Sequence, residues 1–77
     1  MKKKIHQYTV FFESNENKGY TVTVPALPGL VTEGKNFDDA RMMAEDAIRC
    51  YVEGLAKIKE QAPEEKESVQ LRLAVAV

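Results

Sequence analysis

The fold of this chain is decided between residues 20 and 51, where the sequence reads YTVTVPALPGLVTEGKNFDDARMMAEDAIRCY. The first five residues alternate apolar and polar side chains, which places Tyr20, Val22 and Val24 on one side of a predicted strand. The next five residues, Pro25 to Gly29, contain two prolines and a glycine, a composition that ends the strand and forces a turn. Beyond this turn the apolar residues come to follow the period of a helix.

The second half of the stretch predicts a helix that begins after Asn36. Asn36 is a favourable N-cap residue, and Asp38 and Asp39 fall in the first turn, where the helix dipole favours carboxylates. The apolar residues that follow recur at steps of three and four, as on the buried face of a helix. They are Phe37, Ala40, Ala44, Ala47, Ile48, Tyr51, Leu55 and Ile58. We expect Gly54, inside this helix, to permit a close approach to the sheet.

The segments on either side of this stretch complete the predicted fold. Residues 5–13 are rich in aromatic and β-branched residues, and the polar turn after them predicts a hairpin with residues 20–24. Residues 30–35 predict a short third strand, and residues 69–77 alternate apolar and polar side chains regularly. The predicted order is β-β-β-α-β. This is an α+β fold with a small antiparallel sheet and one helix packed on one face, in a single domain spanning residues 1–77.

The composition is that of a small globular domain. The 77 residues are 44% hydrophobic and 30% charged, and the net charge of −1 provides no field that would attract nucleic acid or a membrane surface. No apolar segment follows the basic start, Lys2 to Lys4, so we expect no signal peptide and a cytoplasmic protein. A single cysteine, Cys50, excludes an internal disulfide, and its place within the helix predicts a packing role.

Catalytic and metal-binding patterns are absent from the sequence. The chain has one histidine, His6, and one cysteine, far apart along the sequence. The four glycines are scattered and form no phosphate-binding loop. Glu13 and Glu33 flank predicted turns, where acidic residues are ordinarily solvated. We therefore predict that the chain is not an enzyme, has no catalytic or metal-binding residues, and uses no cofactor.

Seven short segments of the chain occur in a characteristic order. They are the strands Tyr8–Glu13 and Gly19–Val24, the turn Pro25–Leu30, the segment Thr32–Gly34, the helix start Asp38–Ala40, the helix segment Ala44–Ile48, and Tyr51. Each segment alone is unspecific, but together they form a fairly specific set. In this set the chain resembles the HicB-like antitoxin domain of prokaryotic toxin–antitoxin pairs.

The resemblance implies a partial RNase H-like fold without nuclease activity. It also implies that the chain neutralises a small HicA-type toxin, an mRNA-cleaving protein, by direct binding, and that it forms a homodimer or a higher oligomer. Many family members continue into a C-terminal DNA-binding domain, whereas this sequence stops at Val77. We therefore expect a short form of the family that does not bind DNA directly.

Two candidate contact surfaces follow from the sequence. The first, for a partner, consists of Pro25, Leu27, Pro28, Gly29 and Leu30. The second, for an oligomer, consists of Leu71, Leu73 and Val75 on the apolar side of the last predicted strand. Prolines reduce the entropy that a loop loses on binding, which favours the first surface. The alternative is a rigid turn with Leu27 packed on the core. The last strand is able to pair with a copy of itself across a two-fold axis.

Two other functions are compatible with the sequence. The first alternative is an orphan oligomeric domain without a toxin. The second is a nucleic-acid-binding module with a degenerate RNase H-like fold. Aromatic side chains for base stacking are present in the predicted strands at Tyr8, Phe11, Phe12 and Tyr20. The sheet carries no arginine beside them, and the net charge is negative, so the second of these functions is disfavoured.

Overall fold

The computed structural model describes residues 5–77. In this part of the chain the elements are β1 (Phe11–Ser14), β2 (Tyr20–Thr23), β3 (Val31–Gly34) and α1 (Phe37–Lys57). The strands form one antiparallel sheet in the order β1-β2-β3, and α1 follows the sheet. The α+β class and the order β-β-β-α are thus confirmed. The basic start, Lys2 to Lys4, lies outside the described residues.

The first strand begins later than predicted because its partner is interrupted by a proline. Phe11 pairs with Thr23, so a longer ladder would bring Thr9 opposite Pro25. Proline has no N–H to donate and ends a ladder of this kind. Residues 5–10 accordingly lie outside β1.

The turn between β1 and β2 is closed by the side chain of Asn15. Its Oδ1 accepts hydrogen bonds from the backbone N–H groups of Asn17, at 3.0 Å, and Gly19, at 3.1 Å. The backbone N–H of Asn15 donates to the carbonyl of Gly19 at 3.0 Å. This local bonding fixes the hairpin register in which Ser14 pairs with Tyr20.

The helix begins and ends at residues that satisfy its free backbone groups. The Asn36 side chain accepts from the backbone N–H of Asp39 at 2.8 Å, which confirms the predicted N-cap. The Asp39 carboxylate in turn accepts from the backbone N–H of Lys35 at 2.8 Å. At the other end Lys59 adopts a left-handed φ of 60°, and its N–H donates to the carbonyl of Ala56 at 3.1 Å.

Two apolar clusters hold α1 on one face of the sheet. The first comprises Val22, Ala40 and Ala44, with Val10, Phe12 and Tyr20 packed against them. The second comprises Val24, Leu27 and Leu30, with Tyr8, Val10, Ala47, Ile48 and Tyr51 packed against them. The predicted apolar stripe of the helix therefore faces the sheet, except at its ends, where Phe37 and Ile58 are exposed. The prediction of one helix on one face is confirmed.

The closest approach between helix and sheet occurs at Gly34. A β-carbon at Gly34 would overlap the backbone and the side chain of Ala40, and one at Gly19 would overlap the carbonyl group of Gly34. At Gly54, in contrast, no atom lies within 4 Å of the position that a β-carbon would take. The prediction that Gly54 permits the close approach is therefore wrong. The first turn of α1 rests on Gly34 instead.

Two further predictions are wrong. Residues 69–77, predicted as a fourth strand, form no strand, and every residue in this segment is exposed. A cleft separates Gln70 and Arg72 from the edge of β1, so this segment has no neighbouring strand with which to form a ladder. Cys50, predicted to pack, is exposed. It lies two residues after Ile48, which contacts the core, and two residues turn a helix by about 200°, away from the sheet.

The two glycines of contrasting environment provide a test of the helix–sheet contact. We expect Gly34→Ala to lower the free energy of unfolding by about 1–3 kcal/mol, because the added methyl group forces the helix off the sheet. Gly54→Ala is the matched control and should raise it by about 0.5–1 kcal/mol, because the site is open and alanine favours the helix. Urea unfolding of both variants measures the effects. Equal effects of the two substitutions would contradict the assignment of the contact to Gly34.

Candidate protein-binding surface

The turn 25–30 is anchored on the core by two leucines. Leu27 is fully buried and Leu30 is 8% exposed. The backbone N–H of Leu30 donates to the carbonyl of Leu27 at 3.1 Å. From the helix, the hydroxyl of Tyr51 donates to the carbonyl of Pro28 at 3.0 Å. The turn is therefore held by the packing of Leu27 and Leu30 in the core and by one hydrogen bond from α1.

Only part of the predicted partner-binding turn is available to a partner. Pro25, Pro28 and Gly29 are exposed, and Gly29 has a φ of 84°, a conformation that favours glycine. Leu27 and Leu30 are core residues and form no part of an exposed contact surface. The alternative stated for this turn, with Leu27 packed on the core, is therefore the one that the structure shows.

A second surface, not predicted from the sequence, is the side of the sheet that faces away from α1. We call it the open face. It consists of Phe11, Glu13, Thr21, Thr23, Val31 and Glu33. None of these six residues is buried, whereas Val22, on the helix side of β2, has no exposed surface. Alternation along each strand explains the difference, because successive side chains point to opposite sides of a sheet.

The pairing of the three strands arranges the open face in two rows. Phe11 pairs with Thr23, and Thr23 pairs with Val31, so that two apolar side chains flank a threonine methyl group. Val31, the first residue of the edge strand β3, is 62% exposed. This apolar row lies at the same end of the sheet as the turn 25–30, because the turn connects Thr23 to Val31.

The second row of the open face is acidic. Glu13 pairs with Thr21, and Thr21 pairs with Glu33. Among residues 5–77 neither glutamate has an ion-pair partner, and the six residues of the open face include no basic residue. The sequence placed these two acids beside separate turns, and only the strand register brings them into one row. The alternation of Thr21 and Thr23 was the available signal, since it marks the polar side of β2.

A polar hollow beside the hairpin turn has a structural explanation. It has a volume of about 360 Å³ and is lined in part by Asn15, Gly19, Glu33, Lys35 and Asp39. The side chains of Asn15 and Asp39 are already occupied by backbone groups of the turn and of the helix start. The hollow is therefore explained by the turn and the N-cap that border it.

Residues 5–77 contain neither a metal-binding cluster nor a membrane-spanning helix. Within this range no three histidine, cysteine, aspartate or glutamate side chains are grouped so that they could hold a metal ion. The same range contains no helix with the length and apolar character that crossing a membrane requires.

The C-terminal segment is tied to the N-terminal part of the chain at two points. The Tyr8 hydroxyl donates to the carbonyl of Pro63 at 2.6 Å. The backbone N–H and the hydroxyl of Thr9 both donate to the carboxylate of Glu65. We call these contacts the tether. They join residues 55 and 56 positions apart, so the tether is the longest-range polar contact of the described chain.

In the tether Tyr8 donates a hydrogen bond and Glu65 accepts hydrogen bonds, and the pKa shifts of both side chains favour these protonation states. Partial burial, followed by the negative charges of Glu64 and Glu65, raises the pKa of Tyr8, so that its hydroxyl keeps the proton that it donates. The hydrogen bonds from the side chain and the backbone of Thr9 lower the pKa of Glu65, so that its carboxylate stays ionised. Both shifts favour the tether at neutral pH.

Beyond the tether the segment leaves the body of the domain. Gln70 and Arg72 lie across a cleft of about 760 Å³ from residues 10–14 of the sheet edge. The three residues predicted to form an oligomer interface, Leu71, Leu73 and Val75, are 73%, 73% and 76% exposed. They are available for contact, and none of residues 5–77 covers them.

The tether should weaken in acid. Because the pKa of Glu65 is lowered on folding, the stability that its carboxylate contributes is present above the ordinary glutamate pKa and is lost as the pH falls through the lowered value. The amide chemical shift of Thr9, followed by NMR from neutral into acid solution, should report this loss. Glu65→Gln should abolish the titration, and Glu67→Gln, an exposed neighbour, should leave it intact. A Thr9 shift that titrates in Glu65→Gln would contradict the tether.

Comparisons with known proteins place the chain in a family. Residues 8–74 match the family described as a HicB-like antitoxin of bacterial toxin–antitoxin systems. A UPF0150 protein of Thermoplasma acidophilum is 44% identical over 57 residues, which cover 74% of this chain and 83% of that protein. A UPF0150 protein of Synechocystis is 36% identical over 63 residues, which cover 82% of this chain and 80% of that protein.

A phage protein shares a shorter region. The 14.9 kDa protein of the rep–hol intergenic region of Haemophilus phage HP1 is 36% identical over 47 residues, which cover 61% of this chain and 35% of that protein. No solved structure matches the chain. The family match begins at Tyr8, before β1, and continues past the tether to Ala74, so it includes the turn 25–30 and the open face and leaves out Val75. The chain belongs to the HicB-like antitoxin family.

Proposed function

We propose that this chain is the antitoxin of a toxin–antitoxin pair and neutralises a small HicA-type, mRNA-cleaving toxin by binding it directly through the open face of the sheet. Membership of the HicB-like antitoxin family supports the general role. The observation that supports the contact surface is the pairing of an exposed apolar row with an acidic row that has no basic neighbour in the sheet.

The charge of the open face suits a protein that itself binds RNA. An RNA-cleaving toxin must present positive charge to the phosphate backbone of its substrate. Glu13 and Glu33 would attract such a surface and occupy it in place of RNA. The apolar row of Phe11 and Val31 would then supply the desolvated centre that protein interfaces require.

The same charge argues against direct binding of nucleic acid. Phosphates would be repelled by the acidic row, and the six residues of the open face include one aromatic side chain, Phe11, and no arginine or lysine. Tyr20 and Phe12 lie on the opposite side, packed against the core beneath α1. The aromatic residues that suggested a stacking platform in the sequence are therefore divided between two faces.

The open face alone is too small for a stable interface. Three strands of four residues give a flat area of about 200 Å², from a strand spacing of about 4.8 Å and a rise of about 3.3 Å per residue. A specific interface buries about 800 Å² on each partner. We therefore place the exposed residues of the turn, Pro25, Pro28 and Gly29, at the rim of the same contact surface, since they border the apolar row.

The proposed role is that of a binding protein and includes no catalysis and no cofactor. Inhibition requires only that the toxin's RNA-binding surface is covered, and the antitoxin family is consistent with a non-enzymatic role. We place the activity in the cytoplasm, because the proposed target acts on mRNA.

The first experiment is a capture of the tagged full chain from its native cells, followed by mass spectrometry. A small basic protein recovered in stoichiometric amount, whose RNA cleavage is inhibited by the purified chain, is the expected result. Recovery of the chain alone would overturn the proposed function and would favour an orphan oligomeric domain.

A charge reversal tests the contact surface separately. Glu33→Lys should weaken binding of the purified toxin about tenfold or more, because it replaces one of the two negative charges of the acidic row by a positive charge. Glu53→Lys, a matched reversal on an exposed part of α1, should change the affinity less than threefold. Isothermal titration calorimetry measures both affinities. Equal losses would show that net charge, and not the open face, determines binding.

A further inference from the structure

The connection between β2 and β3 contains two successive β-turns that share Leu27. The backbone N–H of Leu27 donates to the carbonyl of Val24 at 2.9 Å and closes the first turn. The backbone N–H of Leu30 donates to the carbonyl of Leu27 at 3.1 Å and closes the second. Because Leu27 is fully buried, both turns rest on the core through the same side chain.

The second turn, from Leu27 to Leu30, has the geometry of a type II turn. Pro28 occupies its second position and Gly29 its third, where a φ of 84° matches the value of about +80° for this turn type. A type I turn of the same residues differs by rotation of the peptide group between Pro28 and Gly29, which reverses the direction of the Pro28 carbonyl. The direction of this carbonyl therefore distinguishes the two turn types.

Tyr51 binds the carbonyl on which the turn type depends. Its hydroxyl donates to the carbonyl of Pro28 at 3.0 Å, and its ring packs against the apolar cluster that contains Leu27. Rotation of the peptide group between Pro28 and Gly29 would break this hydrogen bond. The hydroxyl of Tyr51 therefore stabilises the type II form over the type I form.

The type II form presents a hydrogen-bond donor on the outside of the turn. In a planar trans peptide the C=O and N–H groups point in opposite directions. Because the carbonyl of Pro28 points to Tyr51 on α1, the N–H of Gly29 points away from the helix. Gly29 is exposed, and within the described range 5–77 its N–H donates to no other group. The turn thus offers a fixed donor at the rim of the proposed contact surface.

We infer that Tyr51 is a positioning residue for toxin binding, because it holds the turn in the type II form, in which the Gly29 N–H donates to a backbone carbonyl of the toxin. The inference rests on the proposed function, in which Pro28 and Gly29 lie at the rim of the contact surface. A turn that already has its bound conformation loses less entropy on association. A backbone carbonyl is the acceptor that fits, since carboxylates on an RNA-binding surface would repel the phosphates of its substrate.

Two variants of the full chain separate the positioning role from the packing of the ring. Tyr51→Phe removes the hydroxyl that binds the turn, and Tyr8→Phe, the matched control, removes the hydroxyl that donates to Pro63. Both rings pack against the same apolar cluster. In NMR spectra of the free chain, a strong NOE between the Hα of Pro28 and the amide proton of Gly29 marks the type II turn. This NOE should weaken in Tyr51→Phe alone, and an unchanged NOE would overturn the inference.

The affinity for the purified toxin tests the role in binding. Tyr51→Phe should weaken binding about three- to tenfold, the range expected for the loss of one hydrogen bond, and Tyr8→Phe less than about twofold. Isothermal titration calorimetry measures both affinities. Absence of binding by the unaltered chain would overturn the proposed function and this role together. Toxin binding that is equally strong in the unaltered chain and in Tyr51→Phe would overturn the inference alone.

A D-residue distinguishes positioning from a direct contact between Tyr51 and the toxin. D-alanine favours a positive φ, so Gly29→D-Ala, introduced by chemical synthesis of the chain, holds the type II turn without the hydroxyl. In the chain that carries Gly29→D-Ala, Tyr51→Phe should therefore weaken toxin binding less than about twofold. A loss as large as in the natural turn would show that the hydroxyl acts on the toxin itself and would overturn the positioning role.

Discussion

The contact of Gly34 with Ala40 is the constraint on which the arrangement of this domain depends. β3 ends at Gly34 and α1 begins three residues later, at Phe37, so the chain reverses its direction within a two-residue connection. The absence of a side chain at Gly34 permits this close contact. Gly19, directly before the neighbouring strand β2, meets the same condition, because a β-carbon there would overlap the carbonyl group of Gly34. The small residues Ala40 and Ala44 then bring α1 close enough for its larger side chains to reach the turn 25–30.

A consequence of this close packing is that one helix covers one side of a three-stranded sheet and leaves the other side uncovered. Contact of a partner with the open face therefore leaves the packing of α1 on the sheet undisturbed. The outer edge of β1 has no neighbouring strand in the described residues, so it stays accessible beside the open face.

Features that depend on near neighbours in the chain were predictable from the sequence. The N-cap Asn36, the apolar stripe of the helix and the hairpin all follow from spacing and turn chemistry. Features that depend on strand register or on tertiary contacts were not predictable from the sequence. Glycine spacing did not distinguish Gly34 from Gly54, because only the tertiary contact separates them. Alternation indicated a strand at residues 69–77, but a strand also needs a neighbour, and a cleft separates Gln70 and Arg72 from the edge of β1. The acidic row of the open face was likewise not predictable, because only the pairing of the three strands brings Glu13 and Glu33 into one row.

The tether also determines the order in which the domain assembles. The links between consecutive elements, from Ser14 to Phe37, are short, so the sheet and the helix start form with little loss of chain entropy. The Thr9–Glu65 contact closes a loop of 56 positions, and the entropy of that closure is about 3–4 kcal/mol by the logarithmic dependence on loop length. Contacts of this range form late and open first. The sheet and helix thus exist before the C-terminal segment is secured, and opening the tether frees that segment without unfolding the rest of the domain.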